Sequence, residues 1–433
     1  MQRTSQQIQF TNISEFKTQL LQWAQQFKTA VWLDSNNYQQ QQHSNFDAVL
    51  AVDAISKIET NYNNAFQQLK DFQSNVNDFI FGYLGYDLKN DVEKLSSSNF
   101  DGLHFPDLFF FQPKKIFLIT QNTVEIKYIT EFKNEIETDL KEIKSAKSQN
   151  LKTKEPIKIK LRIHKDKYFQ KLNSVLNHIH RGDIYEANFC QEFYSKNSTI
   201  NPVEVYQNLN NISKPPFATF LKLNDKFLLS ASPERYLKKD GNSVISQPIK
   251  GTEKRASSKK EDLKLITELE KNPKERAENI MIVDLVRNDL SRFAIKGTVK
   301  VDELCKVYTF EQVHQLISTV SCNVKNDIHP VDILKKTFPM GSMTGAPKIS
   351  AMKIIEELEE TKRGLYSGAV GYFTPKGDFD FNVIIRSILY NASKKYVSYS
   401  VGGAITAQSI PEKEYEECLL KAKAMKYVLL NTN

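Results

Sequence analysis

The sequence predicts an α+β fold with antiparallel sheets and helices packed outside them. Three observations carry this. Segments such as "KFLLSASPERYL", "FDFNVIIRSILY" and "KYVSYSVGGAIT" alternate apolar and polar residues, which is the period of a sheet covered on one face, not of a doubly wound parallel sheet. Helical stretches carry capping residues and prolines at their starts. The chain has 433 residues, 40% hydrophobic and 25% charged, which allows a large core and is ordinary for a soluble globular enzyme.

In chain order, residues 1–140 read as an N-terminal subdomain that mixes strands ("TAVWLDS", "DFIFGYLGYDL", "KKIFLIT") with helices. The glutamine run Gln39 to Gln42 is its low-complexity patch. Residues 141–160, "KEIKSAKSQNLKTKEPIKIK", read as a lysine-rich solvated linker. They lack the aromatic interleaving of a single-strand binder, so no nucleic-acid partner is expected. Residues 161–433 hold nearly all the chemistry-bearing side chains and read as the catalytic domain. There "VISQPIKGTEKR" reads as a strand seated by Val244, Ile245 and Ile249 and ended by Gly251-Thr252, with Lys250 lodged before the turn. One helix starts at Asn272-Pro273, an N-cap followed by proline at the first position. A second starts near Gly345, with Pro347 in its first turn, and stops at Gly364. The last starts at the capping box Ser409 to Glu412, with Pro411 inside it, and runs to the C-terminus. Arg386 lies within the apolar strand "FNVIIRSILY".

The net charge of +8 is compatible with an anionic small-molecule ligand. The four cysteines, Cys190, Cys305, Cys322 and Cys418, are far apart with no CxxC pair, which speaks against a zinc site or a disulfide framework. The N-terminal segment lacks an apolar signal region, and no run of 18 apolar residues occurs. A cytoplasmic protein with no membrane partner is expected.

Two helices repeat one pattern near their starts. Glu275 and Glu278 share a helix face, and Glu414 and Glu417 repeat the spacing. Such carboxylates either complement the helix dipole or offer hard oxygen ligands to Mg²⁺. "PMGSMTGAPK" (339–348) is a Gly-rich loop opening a helix, a place for anions but not a P-loop. "SVGGAIT" (400–406) lets a ligand approach the backbone closely. Arg386 calls for a carboxylate, from the protein or from a substrate. His314 and Tyr372 read as core residues more readily than as ligands. Glu234 beside Pro233 is placed for partial desolvation and an acid role. The residues alone indicate an enzyme for an anionic, carboxylate-bearing substrate, with Mg²⁺ as candidate cofactor. A non-catalytic anion- or nucleotide-binding module around 339–348 is the alternative of another class.

Taken together and in order, "RGDIYEANFCQEF", "SPERY", "PIKGT", "AENIMIVDLVRNDL", "GSMTGAPK", "YSGAVGYF", "VIIRS" and "EYEECLLKAKA" resemble the chorismate-utilising enzymes, strongly over 165–427. "FGYLGYDL" and "PDLFFF" extend the resemblance weakly toward the N-terminus. It implies an α+β fold of two facing, mostly antiparallel sheets with outer helices and a cleft between them. Anthranilate synthase large subunits, the nearest alternative, carry PIAGT where this chain carries PIKGT. The lysine implies the branch that aminates chorismate at C4, to 4-amino-4-deoxychorismate, for 4-aminobenzoate and folate synthesis.

Position by position, the resemblance implies Glu278 and Glu417 as Mg²⁺ ligands, with Glu275 and Glu414 lining the metal region. It implies Arg386 and Tyr372 at the enolpyruvyl carboxylate, helped by backbone N–H groups at Gly402 and Gly403. His314, Ser342, Thr344 and Thr252 fall at substrate-contacting positions, and Lys421 falls near the carboxylate. Glu234 matches the acid that protonates the departing C4 hydroxyl. Lys250 matches a nucleophile that attacks C2. An ordinary lysine is neutral in only about one molecule in 2,500 at pH 7, so desolvation is expected to lower its pKa. The chain departs from the pattern at Glu186, where aminating relatives carry Gln and water-adding ones a Lys base. A plain hydrogen bond or acceptance of a proton from Lys250 or ammonia are both open to it. No cysteine sits in a nucleophile turn, so ammonia is expected from a separate glutamine amidotransferase. The space after residue 427 is too short for a lyase domain, so the expected product is aminodeoxychorismate. "VWLDSNN" resembles the segment that lines a tryptophan pocket in anthranilate synthases. "SKPPFATF" departs from its usual partner, so a structural role is expected there.

Overall fold

Side chains alternate between the faces of a strand, and in this chain both faces of the central strands are buried. In Ala48–Thr60, Leu50 and Val52 join one apolar cluster, whereas Val49 and Ala51 join another. Thr29–Asp34 splits the same way, with Ala30 and Trp32 on one side and Val31 on the other. In Leu108–Thr120, Phe109 and Phe111 enter the shared middle cluster, while Phe110 joins a third. The middle cluster therefore lies between two sheet faces. Helices Ile13–Trp23, Pro202–Ser213 and Pro411–Asn431 cover one outer cluster. Helices Ala65–Val76, Pro273–Ser291 and Pro330–Thr337 cover the other. This computed structural model describes residues 2–38, 45–147 and 157–431.

All the ladders between the strands are antiparallel. One sheet runs from Ala48–Thr60 through Thr29–Asp34, Phe217–Leu223, Lys226–Ser232, Ser387–Asn391 and Tyr396–Ile405 to Glu186–Ser195. The other runs from Leu108–Thr120 through Ile80–Leu84, Ala369–Phe373, Phe379–Val383, Arg235–Asp240 and Ser243–Gln247 to Val313–Asn323. Val313–Asn323 also carries Ile249–Lys254 and Lys300–Thr309. The sheets join where Ala48–Thr60 pairs with Leu108–Thr120. Strands from the first 140 residues pair with strands beyond residue 161 in both sheets. Of the lysine-rich stretch, 141–145 end a helix and Lys160 starts a short strand; 148–156, like the glutamine run, lie outside the described residues. Among the described residues, no helix is long and apolar enough to cross a membrane.

Several local expectations need correction. Gly251-Thr252 does not end the lysine strand, which continues to Lys254. Three steps from Ile249 to Thr252 oppose two from Ile317 to Gln315, so one extra residue bulges there. The helix after Pro347 stops at Leu358, short of Gly364, because Glu359 turns inward to bond Arg363 and the Cys190 N–H. Arg386 does not continue a strand. It sits at φ 51° between Phe379–Val383 and Ser387–Asn391. The last helix begins at Pro411, but the Ser409 hydroxyl accepts from the Thr406 N–H, outside a capping box.

Candidate active site

The bulge places Lys250 under the first sheet. Gly251 adopts φ +86°, and a Cβ there would lie 3.0 Å from Glu275 Oε2 and 3.1 Å from Leu316 Cδ1. Glycine is needed on both counts. Lys250 Nζ donates to Glu186 Oε1 at 3.2 Å. Glu186 opens strand Glu186–Ser195, is 1% exposed, and its Oε2 has no hydrogen-bond partner among the described residues. Burial alone would lower the Lys250 pKa, but the charges of Glu186, Glu278 and Glu234 outweigh it, and the net shift is upward. The expectation of a lowered lysine pKa is thereby corrected: in the unliganded protein this amine is held protonated.

Glu234 caps the turn between strands Lys226–Ser232 and Arg235–Asp240 and is buried. Burial pushes its pKa up to about 7, against the pull of the Ser342 hydrogen bond and the Lys250 charge. Ser342 Oγ donates to Glu234 Oε1 at 2.7 Å. A small cavity of about 20 Å³ adjoins Glu234, Ser342 and Pro248. The Thr344 hydroxyl is spent locally on the carbonyls of Met340 and Gly341.

The four carboxylates predicted from helix spacing stand on two helices, and the Glu417 charge acts on Glu275 across them. Burial raises the Glu275 pKa, and Glu417 adds to it. Burial lifts Glu278 to about 7, with Lys250 opposing and Glu275 reinforcing. Glu414 is raised by burial, opposed by Ser409, with Glu417 contributing. Burial acts the same way on Glu417, but Lys421 at 2.7 Å reverses the result and leaves it lowered. Lys421 Nζ also donates to the Gly402 carbonyl at 2.9 Å. A Cβ at Gly402 would collide with Cys190 and Phe189, and Gly403 lies beside Glu414 Oε2. Among the described residues, no three His, Cys, Asp or Glu side chains are grouped closely enough to hold a metal unaided.

Arg386 is partly exposed, and among the described residues its guanidinium makes no hydrogen bond or ion pair. Burial lowers its pKa, while Tyr366 and Glu417 act in the opposite direction. Tyr366 is thus a neighbour within reach of its charge, and the sequence reading missed it. Tyr366 is buried and its hydroxyl meets Cys190 Sγ at 3.6 Å. The signal was available as the first tyrosine of "LYSGAVGY", but a strand-based reading favours Tyr372.

Tyr372 lies elsewhere. It packs on Phe81 and Phe46, with ring centroids 5.6 and 5.2 Å away. It lines a cavity of about 50 Å³ with Leu33, Asp34, Ser35 and Phe217. This is where "VWLDSNN" meets "SKPPFATF". His314 is fully buried, with Nε2 2.9 Å from Asp262 and Nδ1 2.9 Å from Thr309, so neither ring nitrogen is free. Thr252 is exposed beyond the bulge.

The profile of the family described as chorismate binding enzyme matches residues 12–427. The chain is 32% identical over 389 residues to aminodeoxychorismate synthase component 1 of Bacillus subtilis, covering 86% of this chain and 80% of that one. It is 36% identical over 379 residues to the chloroplastic aminodeoxychorismate synthase of Arabidopsis thaliana, covering 82% of this chain but only 41% of that protein. Among solved structures, anthranilate synthase component I from Streptococcus pneumoniae superposes with a TM-score of 0.76 at 27% identity, covering 87% of this chain and 91% of that one.

Proposed function

The chain belongs to the chorismate-binding enzymes, and on that footing we propose that it aminates chorismate at C4, giving 4-amino-4-deoxychorismate for 4-aminobenzoate and folate synthesis. The names of its Bacillus subtilis and Arabidopsis thaliana relatives support this reading. The observation that carries it is a half-buried amine, Lys250, held by Glu186 and feeling the charge of Glu234, a carboxyl group half protonated near neutrality. Lys250 attacks C2 while Glu234 gives its proton to the C4 hydroxyl, which leaves as water. Ammonia then adds at C4 and expels the lysine.

Arg386, with no partner among the described residues, offers a planar fork to the enolpyruvyl carboxylate, with Tyr366 within reach of its charge. The carboxylates fit Mg²⁺, which keeps most of its waters and takes one or two protein carboxylates rather than an all-protein cage. Glu278 and Glu417 would hold it, with Glu275 and Glu414 beside them. When bound, it supplies positive charge for the ring carboxylate of chorismate.

The ammonia comes from a glutamine amidotransferase partner. Burial raises the pKa of all four cysteines, to about 12 for Cys190 and Cys322 and about 11 for Cys418, so none is a ready thiolate for amide hydrolysis. Four free thiols also suit a reducing cytoplasm.

The test is product identity. The purified chain with chorismate, Mg²⁺ and ammonium is expected to yield an amine that retains the enolpyruvyl group, and glutamine alone is expected to yield none. An aromatic product with release of pyruvate would assign the chain to the anthranilate branch, and absence of turnover would refute the reading.

A further inference from the structure

Nothing above explains why a carboxylate stands at position 186. Glu186 is 1% exposed, and among the described residues one of its oxygens has no partner. Buried polar atoms are almost always hydrogen-bonded, and a carboxylate secured by several donors is a weak base. Among the described residues Glu186 has one donor, Lys250 Nζ at 3.2 Å, the atom that must lose a proton before it can attack carbon. Its backbone is held by pairing with Ala346, and its 1% exposure leaves the carboxylate packed in the interior beside Lys250.

The other charges around Lys250 leave this task open. Glu278 faces the candidate metal region, and Glu234 is committed to the hydroxyl. Glu275 and Glu417 have lysines of their own, Lys274 and Lys421, acting on their charges. From the strand and helix packed behind, His314 and Asp262 bond each other.

We propose that Glu186 is the catalytic base that takes the proton from Lys250, an inference that rests on Lys250 being the nucleophile of the proposed amination. The proton passes from the Lys250 ammonium to Glu186, leaving a neutral amine and a neutral carboxylic acid. The amine forms its bond to C2, the C4–O bond breaks, and the hydroxyl takes the Glu234 proton and departs as water. Ammonia bonds to C4, and the C2–N bond breaks with its electrons returning to lysine. Lys250 recovers its proton from Glu186, and the new C4 ammonium returns one to Glu234. Every group ends as it began.

The signature lies in the pH dependence. Transfer within the pair leaves its net charge unchanged, so its extent does not vary with pH while the pair holds one proton. With glutamine at this position the lysine must release its proton to solvent, and the neutral fraction climbs about tenfold per pH unit. The experiment compares wild type with Glu186→Gln from pH 6.5 to 9 at equal total ammonium, so that the changing share of free ammonia cancels in the ratio. The variant is expected to be slower by on the order of 10² at pH 7, with the gap closing as pH rises. Glu186→Asp, which keeps an acid, is expected to hold a constant ratio. A Glu186→Gln ratio that stays constant with pH, or rates equal to wild type, would overturn the proposal. Labelling of Lys250 by trinitrobenzenesulfonate without chorismate reads the same proton independently of the reaction. Wild type is expected to show a shallower pH slope than Glu186→Gln, and equal slopes would count against the base even if amination itself failed.

Discussion

Replacing Glu234 by Gln is expected to strengthen the fold while nearly abolishing turnover. Burial carries this carboxyl from an ordinary 4.5 to about 7. At about 1.4 kcal/mol per pKa unit, that climb is worth about 3 kcal/mol. Below pH 4.5 both folded and unfolded chains carry the proton, and nothing is lost. Above it the unfolded chain ionises freely while the folded one resists, so the raised pKa costs stability increasingly up to pH 7 and then levels off. Glutamine has a similar shape and no charge to bury. Glu234→Gln is therefore expected to resist urea better than wild type at pH 8, by up to about 3 kcal/mol, and to match it at pH 4.5. Its chorismate turnover is expected to fall by about 10² to 10⁴. The pair of assays is urea unfolding at the two pH values and product formation at pH 8. Lower urea resistance at pH 8, an equal gain at both pH values, or turnover within threefold of wild type would refute the reasoning.

Three further outcomes follow from the same geometry. Arg386→Ala is expected to raise KM for chorismate by about 10- to 100-fold, and Arg386→Lys to recover little, because an ammonium lacks the planar fork; steady-state kinetics reads both. Tyr366→Phe is expected to weaken chorismate binding several-fold while Tyr372→Phe leaves it near wild type, and the reverse order would restore Tyr372 to the carboxylate. Glu278→Gln, or EDTA with the wild type, is expected to stop turnover, and thermal melting should show the variant still folded.

The antiparallel strands were legible in the sequence, but their burial was not: strands expected to be covered on one face, such as Tyr396–Ile405, are packed on both, because helices and the facing sheet cover the two sides. Period-2 segments such as "KYVSYSVGGAIT" became antiparallel strands, and Asn272-Pro273 became a capped helix start whose side chain accepts from the N–H groups of Lys274 and Glu275. The Glu275/Glu278 and Glu414/Glu417 pairs were visible because helical spacing alone puts each pair on one face. Expectations that depended on a neighbour far along the chain fared differently. The residues alone favoured the core for His314 and the resemblance a substrate contact; Asp262 and Thr309 take both its nitrogens. Tyr372 and Tyr366 are indistinguishable in a motif, and only the packing of the turn beside Cys190 sets one of them within reach of the Arg386 charge.

What the sequence determined by itself was the α+β class, the antiparallel strands, the helix starts and the family, all of which rest on spacing within segments of ten or twenty residues. The charge state at the centre, by contrast, came from how distant segments pack together. Lys250 was expected to be neutralised by burial, but three carboxylates drawn from a strand start, a turn and a helix converge on it and keep it protonated. Burial penalises a lone charge, whereas opposite charges nearby reward it, and which effect wins is set by distances between residues 16 to 64 positions apart, which spacing along the chain does not encode.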